Sequence, residues 1–472
     1  MALSRIWSAF IIVAILVATV RVAFTDNKTI FSAMVTGKSG DTIKLNKADS
    51  TTLSPTLLHQ LDSNKTLAQG NRSVLRTSDR QLQYYQVLSA DGIIETCKSA
   101  VNIAIGLIGI MALFMGFMSI AEAAGGIRLL SKIIGPFFSR LFPELPKNHP
   151  AMGHMMMNFS ANLLGLDNAA TPFGIKAMQS LQELNPQKER ASNSQIMFLC
   201  LHASGLTLIP VSIIAARASL PKAVAAQDPT DIFIPCMIAT FVATVAAMLI
   251  VSIRQKIRIF QPVILAWIGG LSAFIALLVV YLTRLNAADV QAFSSLWSNV
   301  IILAIFFLIL LGALYKKINV FDAFVEGAKG GFETAVRIIP YLVGMLVAIS
   351  LLRTSGTFDA VIDGMKTLFA AMGSDTRFVD GLPTALIKPL SGSGARGMMI
   401  DTMKAHHADS FAGRLACILQ GSSDTTFYVI AVYFGAVSVK DTRYAAGAML
   451  LADLVGIITS IILAYLFFGG VH

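Results

Sequence analysis

The 472-residue chain has little charge. Only 14% of its residues are Asp, Glu, Lys or Arg, while 55% are hydrophobic, a balance that excludes a soluble domain of ordinary composition. Cysteine is scarce too: Cys97, Cys200, Cys236 and Cys417 form no Cys-x-x-Cys pair. That excludes a disulfide framework and a thiolate metal centre, and leaves the thiols as small packing residues in apolar runs. There is no nucleophile–base motif, no glycine loop followed by a phosphate-binding Lys, and no dinucleotide fingerprint. The chain is therefore read as a non-enzyme without a resident cofactor or metal. Asp401, His406, His407 and Asp409 crowd one stretch, but with no His pair at i, i+4 they read as a polar loop. Met152, Met155, Met156 and Met157 read as adaptable packing around a moving element.

What the chain does have is long apolar runs. They fall at 6–24, 101–121, 195–216, 233–251, 262–282, 296–314, 412–437 and 445–468, with a short one at 338–352. At ~20 residues per crossing these give about nine spans, and the fold class is an all-α polytopic membrane protein. The first run lacks a small-residue cleavage site at its end and is read as a retained helix.

A net charge of +10 would suit nucleic acid, but the cations sit beside the ends of apolar runs, as in Arg254-Gln-Lys-Ile-Arg258 and Lys316-Lys317. Such clusters mark cytoplasmic loops, and nucleic acid is excluded as a partner. With Arg5 inside, alternation of the helices places Arg128, Lys132 and Arg140 inside as well, and puts residues 25–95 and the C-terminus outside. The 25–95 segment, rich in Ser, Thr, Asn and Gln, reads as a loosely structured or small accessory region.

Two interruptions break the apolar pattern. One is Asn158-Phe-Ser-Ala-Asn-Leu-Leu-Gly-Leu-Asp-Asn-Ala-Ala-Thr-Pro172; the other is Pro389-Leu-Ser-Gly-Ser-Gly-Ala-Arg396. Backbone freed from a helix at membrane depth is tolerated only where protein buries it or it lines a cavity. The interruptions are also parts of a repeat. Gly92-Ile-Ile-Glu95-Thr96 is answered by Gly331-Phe-Glu333-Thr334, Gly125 by Gly356, and Ser160 by Ser391. The polar-headed stretch His202-Ala-Ser-Gly-Leu-Thr-Leu-Ile-Pro210 is answered by Gln420-Gly-Ser-Ser-Asp-Thr-Thr-Phe427. The first copy's helix at 101–121 starts outside, whereas 338–352 starts inside after Lys329 and Arg337, so the repeats are inverted. That is the usual device of secondary transporters, with the site between broken helices. The expected division is a first helix at 1–24, an extracytoplasmic insertion at 25–95, a first repeat at 96–258, a linking helix at 259–295 and a second repeat at 296–472.

These motifs, together with 324–340, resemble the signature blocks of bacterial spore maturation proteins A and B fused into one chain, everywhere except about 25–90. The resemblance implies two gate, or "nucleoside recognition", repeats with re-entrant helices in a bacterial cytoplasmic membrane. The same domain occurs in concentrative nucleoside transporters and the ferrous-iron permease. The chain departs from the family pattern at Asp167, His202, Arg396 and Asp424, three of which add an ionisable group where the family commonly has none.

The candidate substrate- or ion-binding set is Asn158, Ser160, Asn162, Asp167, Asn168, Thr171, His202, Ser204, Ser391, Ser393, Arg396, Gln420, Ser422, Asp424 and Thr425. The short amides and hydroxyls suit a polar solute or a dehydrated ion, and suit the capping of broken helices equally well. Arg396 is placed either against Asp424 or Asp167, against an anionic substrate, or snorkelling to the surface. Asp424 among its Ser and Thr neighbours suits Na⁺, a proton or a helix cap, and His202 suits either a titrating group or a satisfied core histidine. The leading function is secondary transport of a polar or amphiphilic solute coupled to Na⁺ or H⁺. Its alternatives are a translocase for lipid or cell-envelope precursors, and a non-transporting module acting with partners. Membrane lipids, a small-molecule or lipid-linked substrate and a homo-oligomer are the expected associations.

The topology has a direct check. An impermeant thiol reagent added outside should label a cysteine placed at position 60 and miss one at position 256; labelling at 256 would invert the map.

Overall fold

The computed structural model describes residues 2–24, 29–38, 41–48, 66–69, 72–76, 82–87, 91–146, 149–163, 167–207, 209–282 and 284–470. In chain order the elements are α1 (Ala2–Phe24), α2 (Ile30–Thr36), β1 (Thr42–Ala48), β2 (Thr66–Gln69), β3 (Arg72–Arg76) and β4 (Leu82–Val87). Then come α3 (Ile93–Ala123), α4 (Gly126–Phe138), α5 (Pro150–Leu163), α6 (Asp167–Leu184), α7 (Asn193–Ala203), α8 (Val211–Ala218), α9 (Phe233–Gln255), α10 (Pro262–Leu282) and α11 (Ala287–Tyr315). The chain continues with α12 (Val320–Thr354), α13 (Thr357–Ala371), a 3-10 turn (Arg377–Gly381), α14 (Leu382–Ile387), α15 (Gly392–His406) and α16 (Phe411–Gly421). It ends with α17 (Thr426–Val429), a π turn (Ile430–Phe434) and α18 (Ala445–Phe468).

Among the described residues, 8 helical segments are long and apolar enough to cross a membrane: α1, α3, α9 to α12, Phe411–Phe434 and α18. The chain is a multi-pass helical membrane protein. Three apolar runs behave differently from the sequence expectation. The run at 195–216 is two half-helices, α7 and α8, because Gly205 takes a left-handed φ of 66° and Pro210 stands before α8. The run at 338–352 is the second half of the 35-residue α12, so Glu333-Thr334 lies inside a continuous helix and not in a turn. The run at 412–437 is broken at Ser422–Thr425 and continues through the π turn.

Repeat order survives these corrections. Gly125 and Gly356, with φ of 85° and 75°, stand at the N-caps of α4 and α13. Ser192 caps α7 by accepting from the Gln195 amide, and Ser410 caps α16 by accepting from Gly413. Equivalent capping residues start equivalent half-helices, since a hydroxyl acceptor satisfies amide donors that have no intrahelical partner.

The chain divides into two compact units. The smaller comprises Met1–Asn102 and Ile339–Thr376. Ala14, Ala18, Ile30, Met34, Leu351 and Leu352 form its apolar cluster, and the Trp7 indole donates to the Gly344 carbonyl at 2.9 Å. The insertion carries an antiparallel sheet of order β1-β4-β3-β2, so it is a small accessory region with regular structure.

The larger unit comprises Ile103–Ile338 and Arg377–His472. Its core joins α5, α6, α7, α9 and α18 around Met155, Phe198, Met248, Tyr433 and Met449. Helices α3 and α12 approach closely through glycine: a Cβ on Gly331 would stand 2.7 Å from Ala112. Small residues at such a contact let two backbones pack where lipid offers no hydrophobic drive.

One end of this unit is fixed by a buried ion network. Arg217 Nη2 donates to Asp231 at 2.8 Å and to Asp409 at 3.0 Å, and Arg414 Nε donates to the other oxygen of Asp231 at 2.7 Å. Arg217, Asp231 and Arg414 are 0%, 1% and 2% exposed. Two cations and two acids balance, so no buried charge lacks a counter-charge. The network ties α8 and the loop before α9 to the loop and first turn of α16, across the two repeats. Asp231→Asn would leave two arginines short of a counter-charge, and breaking a buried pair typically costs about 3–5 kcal/mol. Thermal melts in detergent should show that loss, and a melt equal to wild type would show that the network is dispensable.

Candidate functional site

The two polar turns of the larger unit meet each other. Gly205, just past α7, approaches the Ser423–Asp424 peptide so closely that a Cβ there would lie 3.1 Å from the Asp424 nitrogen. Left-handed φ and close approach both require glycine at this point. The Asp424 amide donates to the Ala203 carbonyl at 2.7 Å, and the Phe427 amide donates to the Pro389 carbonyl at 3.0 Å. The first of these bonds joins the two repeats, and the second closes a break within the second repeat.

Beside these turns lies a cavity of about 590 Å³. The first repeat supplies Asn162, Thr171, His202 and Thr207; the second supplies Lys388, Arg396, Gln420, Ser423, Asp424, Thr425 and Tyr428. Seven residues expected from the sequence therefore share one cavity: Asn162, Thr171, His202, Arg396, Gln420, Asp424 and Thr425. The others are placed around it. Asn158 is fully buried behind His202. Ser160 faces Ser131 of α4 at 3.1 Å. Ser204 donates to the Leu201 carbonyl and to Thr244, Ser422 donates to the Leu419 carbonyl, and Ser391 caps α15 with Ser393 at 3.3 Å. Asp167 and Asn168 open α6, and their side chains lie outside the described residues.

His202 is the hub. It is 4% exposed, and its Nε2 stands 3.8 Å from Asp424 Oδ2, whose side chain is 46% exposed and faces the cavity. Tyr433 packs edge-on against the imidazole with centroids 4.8 Å apart. Asn158 is one of two amide neighbours of the imidazole. Its amide nitrogen donates to the Ala170 carbonyl at 2.6 Å, which turns its oxygen towards His202 Nδ1 at 3.0 Å. The Asn162 amide nitrogen stands on the same Nδ1 at 2.8 Å. One neighbour only accepts and the other only donates, so Nδ1 bonds to Asn158 when it carries the proton and to Asn162 when Nε2 does. A proton on both nitrogens would set an imidazolium against the Asp424 carboxylate.

The opposite wall is cationic. Lys388 is 8% exposed and Arg396 half-buried. Gln420 is 6% exposed, and its Oε1 has no hydrogen-bond partner among the described residues. A buried amide oxygen without a donor is costly, and its residue lines the cavity. The ion partner found for Asp424 is His202, and Arg396 lines the same cavity from α15.

Sequence reasoning passed over three features. Lys388 precedes the Pro389 break, and Asp453 is the lone acid of α18, where it accepts from Thr426 at 2.6 Å. Both carried the same signal, an ionisable residue within an apolar run. Asp409 was read as a loop residue and belongs to the Arg217 network; only its pairing partners, remote in sequence, reveal that.

Broken half-helices in two repeats, closed on each other around a polar cavity, define a gate-type membrane protein. Residues 104–220 and 335–440 match the family described as Gate, nucleoside recognition. Over 161 residues, 34% of this chain and 89% of the relative, the chain is 50% identical to spore maturation protein B of Bacillus subtilis (strain 168). Over 160 residues, 34% of this chain and 80% of the relative, it is 41% identical to spore maturation protein A of the same organism. The chain belongs to the family of spore maturation proteins A and B. No solved structure matches it.

Asn158→Ala would remove the donor to Ala170 and the acceptor for His202 at a fully buried position. Leaving buried polar groups unsatisfied costs about 1–3 kcal/mol each. A lowered melting temperature, with Asn158→Asp failing to restore it because the donor to Ala170 is gone, is the expected result. An unchanged melt would remove Asn158 as the anchor of the break.

Proposed function

We propose that the protein is a secondary transporter of a polar solute in the bacterial cytoplasmic membrane. Its two gate repeats expose the cavity at the Asn162 and Asp424 turns alternately to either side, and a proton is the coupling ion. The observation that carries this reading is the His202–Asp424 pair: an imidazole and a carboxylate, held 3.8 Å apart at the cavity wall. Binding one proton turns the pair into an imidazolium facing a carboxylate, or into an imidazole facing a neutral acid. Charges of both signs, Asp424 against Lys388 and Arg396, suit a zwitterion or a strongly dipolar molecule. Transport rather than catalysis is favoured because the cavity's side chains include no nucleophile paired with a base.

The test is uptake into proteoliposomes. Labelled nucleosides are the first probes, given the name of the matched family, followed by amino acids and short peptides, each with and without an imposed pH gradient. One unit of gradient carries about 1.4 kcal/mol per proton, equivalent to a tenfold accumulation. His202→Gln and Asp424→Asn should abolish that accumulation while leaving exchange of labelled for unlabelled solute in place. Gradient-driven accumulation at the wild-type level in both variants would refute proton coupling at this pair.

A further inference from the structure

The larger unit holds a second concavity of about 1050 Å³ whose chemistry differs from that of the polar cavity. Its walls are aliphatic, from α4 and the last turns of α11, with Leu129 and Leu308 61% and 64% exposed. In water so much exposed leucine would be unfavourable. In a membrane it is a surface for acyl chains.

The groove is also charged. Arg128 and Lys132 stand at i, i+4 on one face of α4, and Lys316 sits at the end of α11. Arg128 and Lys132 are exposed, and neither has an ion pair among the described residues. Lys316 lies 5.7 Å over the Tyr315 ring. Against these three cations stands one acid, Glu122. All three cations belong to segments next to apolar spans, α4 and the end of α11, whose charge assigns them to the cytoplasmic side.

We propose that this groove is a binding site for an anionic glycerophospholipid of the cytoplasmic leaflet, its phosphate held by Arg128, Lys132 and Lys316 and its chains along Leu129 and Leu308. Charge complementarity selects the headgroup, because a zwitterionic lipid brings no net charge to an excess of two cations. Basic pockets between transmembrane helices on the cytoplasmic side recognise anionic heads by this electrostatic term. The lipid would also bear on the moving part. Met157 and Phe173 of the α5–α6 hairpin line the groove, while Asn162, Thr171 and Pro172 of the same hairpin line the polar cavity.

The experiment uses the full chain purified in detergent, delipidated, then titrated with phosphatidylglycerol or phosphatidylcholine and followed by native mass spectrometry and thermal melts. Phosphatidylglycerol should remain bound and raise the melting temperature, and phosphatidylcholine should do neither. In the triple variant Arg128→Gln, Lys132→Gln, Lys316→Gln, affinity for phosphatidylglycerol should fall roughly a hundredfold, from three cations each acting on the headgroup. The variant's melt without lipid should stay at the wild-type value. A second variant, Leu308→Trp, should obstruct the chains with every cation in place, and should weaken binding too. Equal binding of both lipids, unchanged binding in the triple variant, or an equal melting shift from inorganic phosphate alone would each overturn the proposal. None of these readouts requires transport, so the proposal stands or falls apart from the transporter reading.

Discussion

Everything in the larger unit depends on how backbone polar groups are satisfied where helices stop inside an apolar environment. With no water at hand, each freed amide or carbonyl costs several kcal/mol unless protein provides a partner. Here the partners come both from within a repeat and from across the pair. Ala203 at the end of α7 receives the Asp424 amide, Pro389 receives the Phe427 amide, and Asn158 donates across its own break to Ala170. The first of these bonds joins the two repeats, and the other two each close a break within one repeat. Hydrogen bonds that close the structure also hold the polar turns at the cavity wall, so folding and site assembly share one cause.

The ion network at Arg217 and the polar cavity show two treatments of buried charge. In the network both Asp231 oxygens and one Asp409 oxygen face guanidinium groups, the other Asp409 oxygen accepts from the Gln227 amide at 2.8 Å, and the carbonyl of Ala408 takes a further donor from Arg217 at 2.9 Å. Such an arrangement resists change. In the cavity His202 and Asp424 stand beyond hydrogen-bond distance. Paired charges hold two repeats in register, whereas the cavity's charged side chains have capacity left for a ligand.

Much of this was legible in the sequence where local chemistry forces the outcome. Small and amide residues within an apolar run admit few structures other than a broken helix, and the breaks at 158–172 and 389–396 follow from that. Capping serines and left-handed glycines recur at matching points for the same reason. Length was a poorer guide. Residues 195–216 are apolar enough to span, but Gly205 and Pro210 divide them; residues 338–352 are too short alone, but are continuous with the polar half of α12. The insertion's sheet left no clear alternation in the sequence. For the site, residue types pointed to the cavity and could not say which side chains face it. Ser160 and Ser204 have the same chemistry as Thr171, but they turn towards Ser131 and Thr244. Orientation within a helix is decided by neighbours remote in sequence.

The α5–α6 hairpin brings these themes together, because its two surfaces meet different solvents. Asn162, Thr171 and Pro172 face the polar cavity, and Met157 and Phe173 face the aliphatic groove. Gly174, one residue further on, has no room for a Cβ because the Tyr433 ring lies against it. A displacement of the hairpin towards either side would therefore change three contacts together: a hydrogen bond to His202 from Asn162, a packing contact with Tyr433, and the depth of the groove. Packed elements of this kind tend to switch between discrete arrangements instead of deforming gradually. The methionines before the break suit that behaviour, since an unbranched thioether side chain repacks with little strain. The hairpin is thus the element that borders both cavities, and on the proposed mechanism it is the one that a proton at His202 or a bound ligand would bias.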